Sequence, residues 1–563
     1  MLRTTTLTAA AILCLTPAAG AHAQQRARAP RPADLIVTNA RIYTVDDARP
    51  VVAALAVRDG RVLYAGAARG AMALKGSATR VVDLGGRTVI PGMTDAHAHL
   101  LGLGTALRTV DLTGAASYGE VIARVAARAR NAPAGAWILG RGWDQNRWPG
   151  ASFPTHAPLD SAIPDHPVWL ERVDGHAGLA NLAAMRAAGV TATTGDPAGG
   201  RIERDAGGAP SGVFVDNAQG LVGRAVPAPS RAEVREAVLA AVKEANRWGL
   251  VGIHDAGASR ATIEVYEELA RAGRFTLRDY VMVSDDSADF AYYFARGPRS
   301  ALYDGHLWVR AVKLYADGAL GSRGAALLAP YSDDPQNSGL LLSAPEHIRD
   351  VATRALRAGF QVNTHAIGDR GNRLVLDAYE KALAEVPVAD ARFRVEHAQV
   401  LSPEDIPRFA TLGVIPSMQA SHQTSDMGWA ERRLGPTRIR GAYAWRSLLE
   451  SGVVIPNGSD FPVEYVNPLI SFHAAVTRQD ATDQPPGGWY PEQRMTREEA
   501  LRSMTLWPAY AAFQEDVAGS LSPGKYADFV VLDQDIMRIP AEQILRTRVL
   551  ATYLGGTAVY ESK

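Results

Sequence analysis

The chain has 563 residues, 47% of them hydrophobic and 21% charged, with 59 basic residues set against 59 acidic ones. This balance excludes the basic stripe expected of a nucleic-acid-binding protein and offers nothing to a polyanionic partner. The single cysteine excludes a disulfide framework, and the length exceeds what one hydrophobic core holds, so two or three domains are expected.

Residues 1–23 carry Arg3, an apolar run from Leu7 to Leu15 and a small-residue end at Gly20-Ala21-His22-Ala23. This pattern is expected of a secretory signal peptide cleaved after Ala23. Cys14 follows Leu13 inside the apolar run, where a lipoprotein site would require a small residue. The exported chain would therefore carry no thiol, which removes thiolate nucleophiles and cysteine metal sites. No later apolar run approaches the length of a bilayer span, so a secreted or periplasmic protein is expected. Residues 24–33, rich in arginine and proline, read as a linker.

A series of short strands follows: 35–39, a hairpin of 54–57 and 61–65 around Asp59-Gly60, then 81–84 and 87–90. They are too few and too short to stand alone. The far end supplies matching segments at 527–532, 549–554 and 558–560. A small β-sandwich built from 34–90 plus 508–563 is the expected result.

Between these ends, strand candidates at 90–97, 251–254, 277–283, 309–314, 361–365, 393–397, 414–416 and 453–457 precede helical stretches. Eight such units predict an α/β fold of the (β/α)8 TIM-barrel type, spanning 91–104 plus 231–507. Such barrels place their chemistry at the C-terminal ends of the strands, where this chain carries His97, His99, Lys313, His365, His397 and Asp460. His97 and His99 stand two apart at a strand end, so both imidazoles project from one face, a metal-ligand geometry. The stretch 105–230 is too long for one βα loop and reads as an inserted α/β subdomain over the barrel mouth. It contains strand pieces at 137–140 and 168–170 and a helical piece at 118–129. Its Trp143, Trp148 and Trp169, with Asp174-Gly175-His176, either shape a substrate pocket or form the insertion's own core.

Other polar residues carry two readings each. Lys313 is a metal-site residue or an ordinary cation paired with Asp317 or a substrate carboxylate. His254-Asp255 supports the site from behind or is a hydrogen-bonded structural pair. Glu396, next to His397 on a strand, is expected to face away from it in a structural ion pair. Arg323, Arg370 and His422 are candidates for the substrate's acyl or carboxylate end, and Asp369 with Arg370 equally suits a helix start.

The motifs Pro91-Gly92-Met93-Thr94-Asp95-Ala96-His97-Ala98-His99, Lys313 to Arg323, Asn363-Thr364-His365-Ala366-Ile367-Gly368-Asp369, Arg394-Val395-Glu396-His397-Ala398-Gln399 and Gly458-Ser459-Asp460-Phe461-Pro462 occur in that order. Together with Gly519-Ser520-Leu521 and 527–532, they resemble the amidohydrolase superfamily, and specifically amidohydrolase family 3, the YtcJ-like group. The resemblance implies one or two divalent metal ions per chain, expected to be zinc. His97 and His99 would bind one and His365 and His397 the other. Lys313, carboxylated on its amine, would bridge them, and Asp460 would bind metal and act as general base. The implied reaction is hydrolysis of the carbon–nitrogen (amide) bond of an N-acyl or N-substituted small molecule by a metal-activated hydroxide. A lactonase or esterase on the same scaffold, or a non-catalytic metal-containing binding protein, are the alternatives. Trp143, His176, Arg323 and His422 are the expected substrate contacts. The expected partners are a small-molecule substrate and, compatibly, further copies of the chain as a homo-oligomer.

Overall fold

A computed structural model describes residues 31–562. The signal-peptide segment 1–23 and the first part of the 24–33 linker lie outside the described residues. Three sheets organise the described residues. The first is made from both ends: Leu35–Tyr43 pairs in parallel with Arg80–Pro91, which in turn runs antiparallel to Phe529–Leu532. Val549–Leu554 and Thr557–Glu561 extend it on one side, and the Ala54–Arg58/Arg61–Gly66 hairpin on the other. That hairpin turns at Asp59 and Gly60, both at positive φ, as an Asp-Gly turn between twisted strands requires.

The second sheet is the barrel-like one. Its parallel strands are β1 (Met93–Ala98), β2 (Leu250–Ala258), β3 (Arg278–Val283), β4 (Leu307–Tyr315), β5 (Gln361–Ala366), β6 (Arg394–His397) and β7 (Ile415–Ser417). Each pairs with the next in sequence order. Their near-continuous apolar character follows from burial on both faces, against the barrel interior and the surrounding helices.

Two expectations are corrected here. The apolar run 90–97 is not one strand. Val89 to Pro91 pair with Val531 to Phe529, and the barrel strand starts only at Met93. The run serves two cores, with Val89 in the sandwich and Ile90 and Met93 in the barrel. The eighth segment, 453–457, forms no regular strand. Pro456 lacks an N–H, and the Asn457 N–H is given to Ser503 O at 2.8 Å. The ladder on that side shrinks to a parallel bridge between Met418 and Asn457. On the other side Ala96 N–H reaches Asn457 O at 3.2 Å, so the ring is nearly closed by backbone.

The third sheet belongs to the 105–230 stretch. Its strands lie in the spatial order Gly200–Arg204, Pro210–Asp216, Ala177–Ala180, Val168–Arg172, Ile138–Trp143, Val110–Asp111, parallel among the last three and antiparallel elsewhere. The helix Tyr118–Ala129, capped by Ser117, packs Val121 and Val125 into a core of its own. Among the described residues, no helix is long and apolar enough to cross a membrane.

Beneath the barrel, Arg278 of β3 forms a two-pronged ion pair with Asp528, Nη2 to Oδ1 at 2.9 Å and Nε to Oδ2 at 2.5 Å. Both side chains are buried, and Asp528 Oδ1 also accepts the Gly555 N–H at 2.7 Å, so the pair ties the barrel floor to the sandwich. Removing one partner of such a pair strands a buried charge. Asp528→Ala is therefore expected to lower unfolding stability by about 3–5 kcal/mol, while replacing both partners with apolar residues costs much less. Urea unfolding of the single and double variants checks this; a loss under about 1 kcal/mol in Asp528→Ala would remove the tie.

Candidate active site

At the C-terminal ends of the barrel strands, six side chains converge around one cavity of about 1090 Å³. His97 lies one residue before the end of β1, and His99 follows the strand, immediately before the helix Leu100–Ala106. Lys313 comes from β4, His365 from β5, His397 from the end of β6, and Asp460 from the loop after 453–457. The His397 ring lies 4.7 Å from that of His97 and 4.6 Å from that of His365, centroid to centroid. Asp460 Oδ1 is 3.0 Å from His99 Nε2 and 3.7 Å from His97 Nε2. One ligand atom each from His97, His397 and Asp460 lie within 4.8 Å of one another, all buried.

Loop and strand are stitched together to achieve this. The Asp95 carboxylate, on the same face of β1 as His97, accepts the Ser459 N–H at 3.0 Å and its hydroxyl at 2.6 Å. Asp460 N–H donates to His97 O at 2.7 Å and His99 N–H to Phe461 O at 2.9 Å. Gly458 permits this approach, because a Cβ there would stand 2.5 Å from His97 N and 2.7 Å from Asp95 Oδ1. Asp460 itself has φ +60°, a left-handed conformation that turns its carboxylate back toward the histidines.

The histidines are oriented from behind. His97 Nδ1 bonds Glu396, and His397 Nδ1–H donates to Gln419 Oε1 at 2.8 Å, which directs each Nε2 to the centre. Burial pushes His97 down to about 4 and holds His365 and His397 well below the imidazole range, so neutral nitrogen lone pairs face the site. Burial acts to raise Glu396, but Arg394 and His97 outweigh it and hold the carboxylate down at about 2. For Asp460 too, burial is outweighed by the surrounding imidazoles of His97, His99 and His397, and it stays well below the carboxylate range. Lys313 is buried, its Nζ 3.3 Å from His97 Nε2, and burial pushes it down to about 8.

These residues fit a metal ion. His365 Nε2, His422 Nε2 and Asp460 Oδ1 are buried with no hydrogen bond of acceptable geometry. Unmatched imidazole nitrogens beside an ionised carboxylate are a donor set suited to a divalent cation, zinc among them.

The remaining sequence expectations divide. His176 and His422 line the cavity; His422 Nε2 is 3.7 Å from Asp460 Oδ2. Trp143 does not: it is wholly buried in the insertion's core, its Nε1–H donating to Leu170 O at 2.8 Å. Arg323 turns outward at φ +58° and pairs with Asp333. Arg370 is exposed on the helix Asp369–Glu385, outside the cavity, and Asp369 caps local N–H groups of Leu328 and Arg370. Lys313 does not pair with Asp317, whose carboxylate is taken by the N–H groups of Ala326, Ile367 and Gly368. His254 lies within the longer β2, not at its end, and its Nδ1 meets the Arg394 guanidinium at 2.8 Å.

Glu396 is the residue sequence reasoning placed wrongly. It forms the expected ion pair, with Arg394 at 2.7 Å, but the pair points into the barrel beneath His97. Strand alternation would then turn His397 outward. Positive φ at His397 (+76°) and Ala398 (+43°) breaks the alternation and brings the imidazole back to the mouth. Asp95 was legible from its spacing to His97; Ser459 and Gln419 carried no signal of their own.

The pattern of the Amidohydrolase family matches residues 80–560. YtcJ of Bacillus subtilis (strain 168) is 33% identical over 92% of this chain and 98% of its own. An N-substituted formamide deformylase of Arthrobacter pascens is 29% identical over 94% of this chain and 98% of its own. The crystal structure of an uncharacterized metal-dependent hydrolase from Pyrococcus horikoshii OT3 superposes with a TM-score of 0.74 at 27% identity, covering 90% of this chain and 99% of that one. A nearly closed parallel barrel with a buried His/His/Asp group at its mouth, matched along almost its whole length, places the chain in amidohydrolase family 3 with YtcJ as a homologue.

Proposed function

We propose that this metal-dependent amidohydrolase cleaves the carbon–nitrogen bond of N-acyl or N-substituted small-molecule amides, with N-substituted formamides the first class to test. The observation that carries this reading is the pair of unmatched ligand atoms on His365 and Asp460, buried beside His97 and His397 in a large cavity roofed by the insertion. Similarity to the formamide deformylase, which covers nearly the whole of both chains, supports the substrate class.

In this reading His97, His99, His365, His397 and Asp460 would hold one or two divalent ions, with zinc favoured by the nitrogen-rich set. Lys313 joins them as its carbamate; its burial and depressed pKa leave a larger neutral fraction to combine with carbon dioxide. When bound, the metal supplies Lewis acidity and brings water toward ionisation near neutral pH. Asp460 accepts the proton of the attacking water and returns it to the leaving nitrogen, a role its ionised carboxylate and its place between His97 and His99 support. His422, stacked on His397, and His176, beside His365, contact the substrate. The 453–457 segment serves as the eighth stave of a TIM-type barrel, and the 1–23 leader directs the chain to the periplasm or beyond.

Asp460→Asn is expected to lower kcat by about 10²–10⁴-fold on N-substituted formamides, and His97→Ala to lose bound metal. Steady-state rates and elemental analysis of the purified variants read both outcomes; full turnover in either contradicts the assignment. Glu396→Gln should weaken zinc affinity by about 10–100-fold, because His97 loses the carboxylate that orients it. Competition against a chelator measures this, and an unchanged affinity would show that Glu396 serves only the Arg394 pair.

A further inference from the structure

One more imidazole in the cavity wall is fixed from several sides, by the insertion alone. His176 sits in the short loop between Val168–Arg172 and Ala177–Ala180. Arg172, 2% exposed, pairs with Asp144 and Asp174, and Asp174 Oδ1 accepts the His176 N–H at 3.0 Å. Gln219 Nε2 donates to Gly175 O at 2.9 Å, holding the loop from the other side. Asp216 completes the set, its N–H donating to His176 O at 2.9 Å and its Oδ1 lying 2.7 Å from His176 Nδ1.

The Asp216 side chain is wholly buried at a left-handed φ of +52°. Its second oxygen lies over Gly318, where a Cβ would approach it to 2.4 Å, so the barrel's own loop leaves room for this carboxylate. The His176 ring stands 5.0 Å from the His365 ring, in the cavity wall, and no described residue hydrogen-bonds its Nε2.

In the neutral ring, a carboxylate that takes the Nδ1 proton selects the imidazole tautomer whose Nε2 carries a lone pair. In a cavity wall that lone pair faces water until a ligand brings a donor in its place. We propose that His176 Nε2 accepts the N–H of a secondary amide at the scissile bond, so that the insertion selects amides bearing an N–H over esters and tertiary amides. This rests on the hydrolase reading above and narrows its substrate class. His176 touches the substrate; Asp216 is a positioning residue acting through it.

The test compares a secondary amide with its matched ester, using zinc-loaded wild type, His176→Ala, Asp216→Ala and Asp216→Asn. In His176→Ala the amide-to-ester ratio of kcat/KM should fall by about tenfold or more, through loss on the amide, with zinc content and Tm unchanged. Asp216→Ala should shift the ratio the same way, and Asp216→Asn, which keeps an acceptor for Nδ1–H, should restore most of it. An unchanged ratio in His176→Ala overturns the proposal, and so does loss of zinc, which would make His176 a ligand. A wild type that turns over esters but no amide overturns it too. A wild type that hydrolyses neither compound fails the hydrolase reading itself, and the inference falls with it.

Discussion

The Asp95 carboxylate holds this site together. It reaches from the first barrel strand to the backbone and hydroxyl of Ser459, in the loop that stands where an eighth strand would be. A regular strand there would fix direction but leave Asp460 on whichever face alternation dictated. A loop pinned by a buried carboxylate lets Asp460 adopt its left-handed turn and present an oxygen between His97 and His99. The cost is visible in Asp95 itself, pushed up to about 7 by burial despite its bonds to Ser459 and His97. The barrel is thus closed by the interaction that also builds its metal group, which couples ring closure to ligand geometry.

Below that level the barrel is not filled with aliphatic side chains. Arg394 spans the interior, bonding Ala96 O at 2.6 Å, Ser417 Oγ at 2.7 Å, His254 and Glu396, all buried. It is a guanidinium whose donors fall on four staves, well suited to fix their relative positions. Glu396 carries that order upward to His97. A metal site at the mouth therefore rests on a rigid polar column, which fits the need to hold ligands to within fractions of an ångström. The insertion adds a second support from above, where Arg172 and its two aspartates brace the loop carrying His176.

Much of this was legible in the sequence, because the metal-site residues sit at the ends of apolar runs and spacing alone marks them. His97, Lys313 and His365 each lie at the end of a run whose strand character is clear, and the cavity collects them with Asp460. What escaped was decided by backbone geometry that composition does not encode. With Glu396 turned inward, His397 reaches the mouth as well because it and Ala398 adopt positive φ. The eighth segment failed to become a strand because of Pro456 and a hydrogen bond from Asn457 to Ser503, a partner distant in the chain. Trp143 was misread because an aromatic in an insertion says nothing of which face of its strand it occupies. The pairing of Asp216 with His176 joins residues 40 apart and became visible only in three dimensions.

The central claim is that the His97, His397 and Asp460 group is a metal centre. Anomalous diffraction from crystals of the protein purified without chelators, recorded on both sides of the zinc absorption edge, tests it most directly. The account predicts an anomalous peak within coordination distance of His97 Nε2, His397 Nε2 and an Asp460 oxygen. A metal peak elsewhere in the chain, or none after reconstitution with zinc, would contradict it.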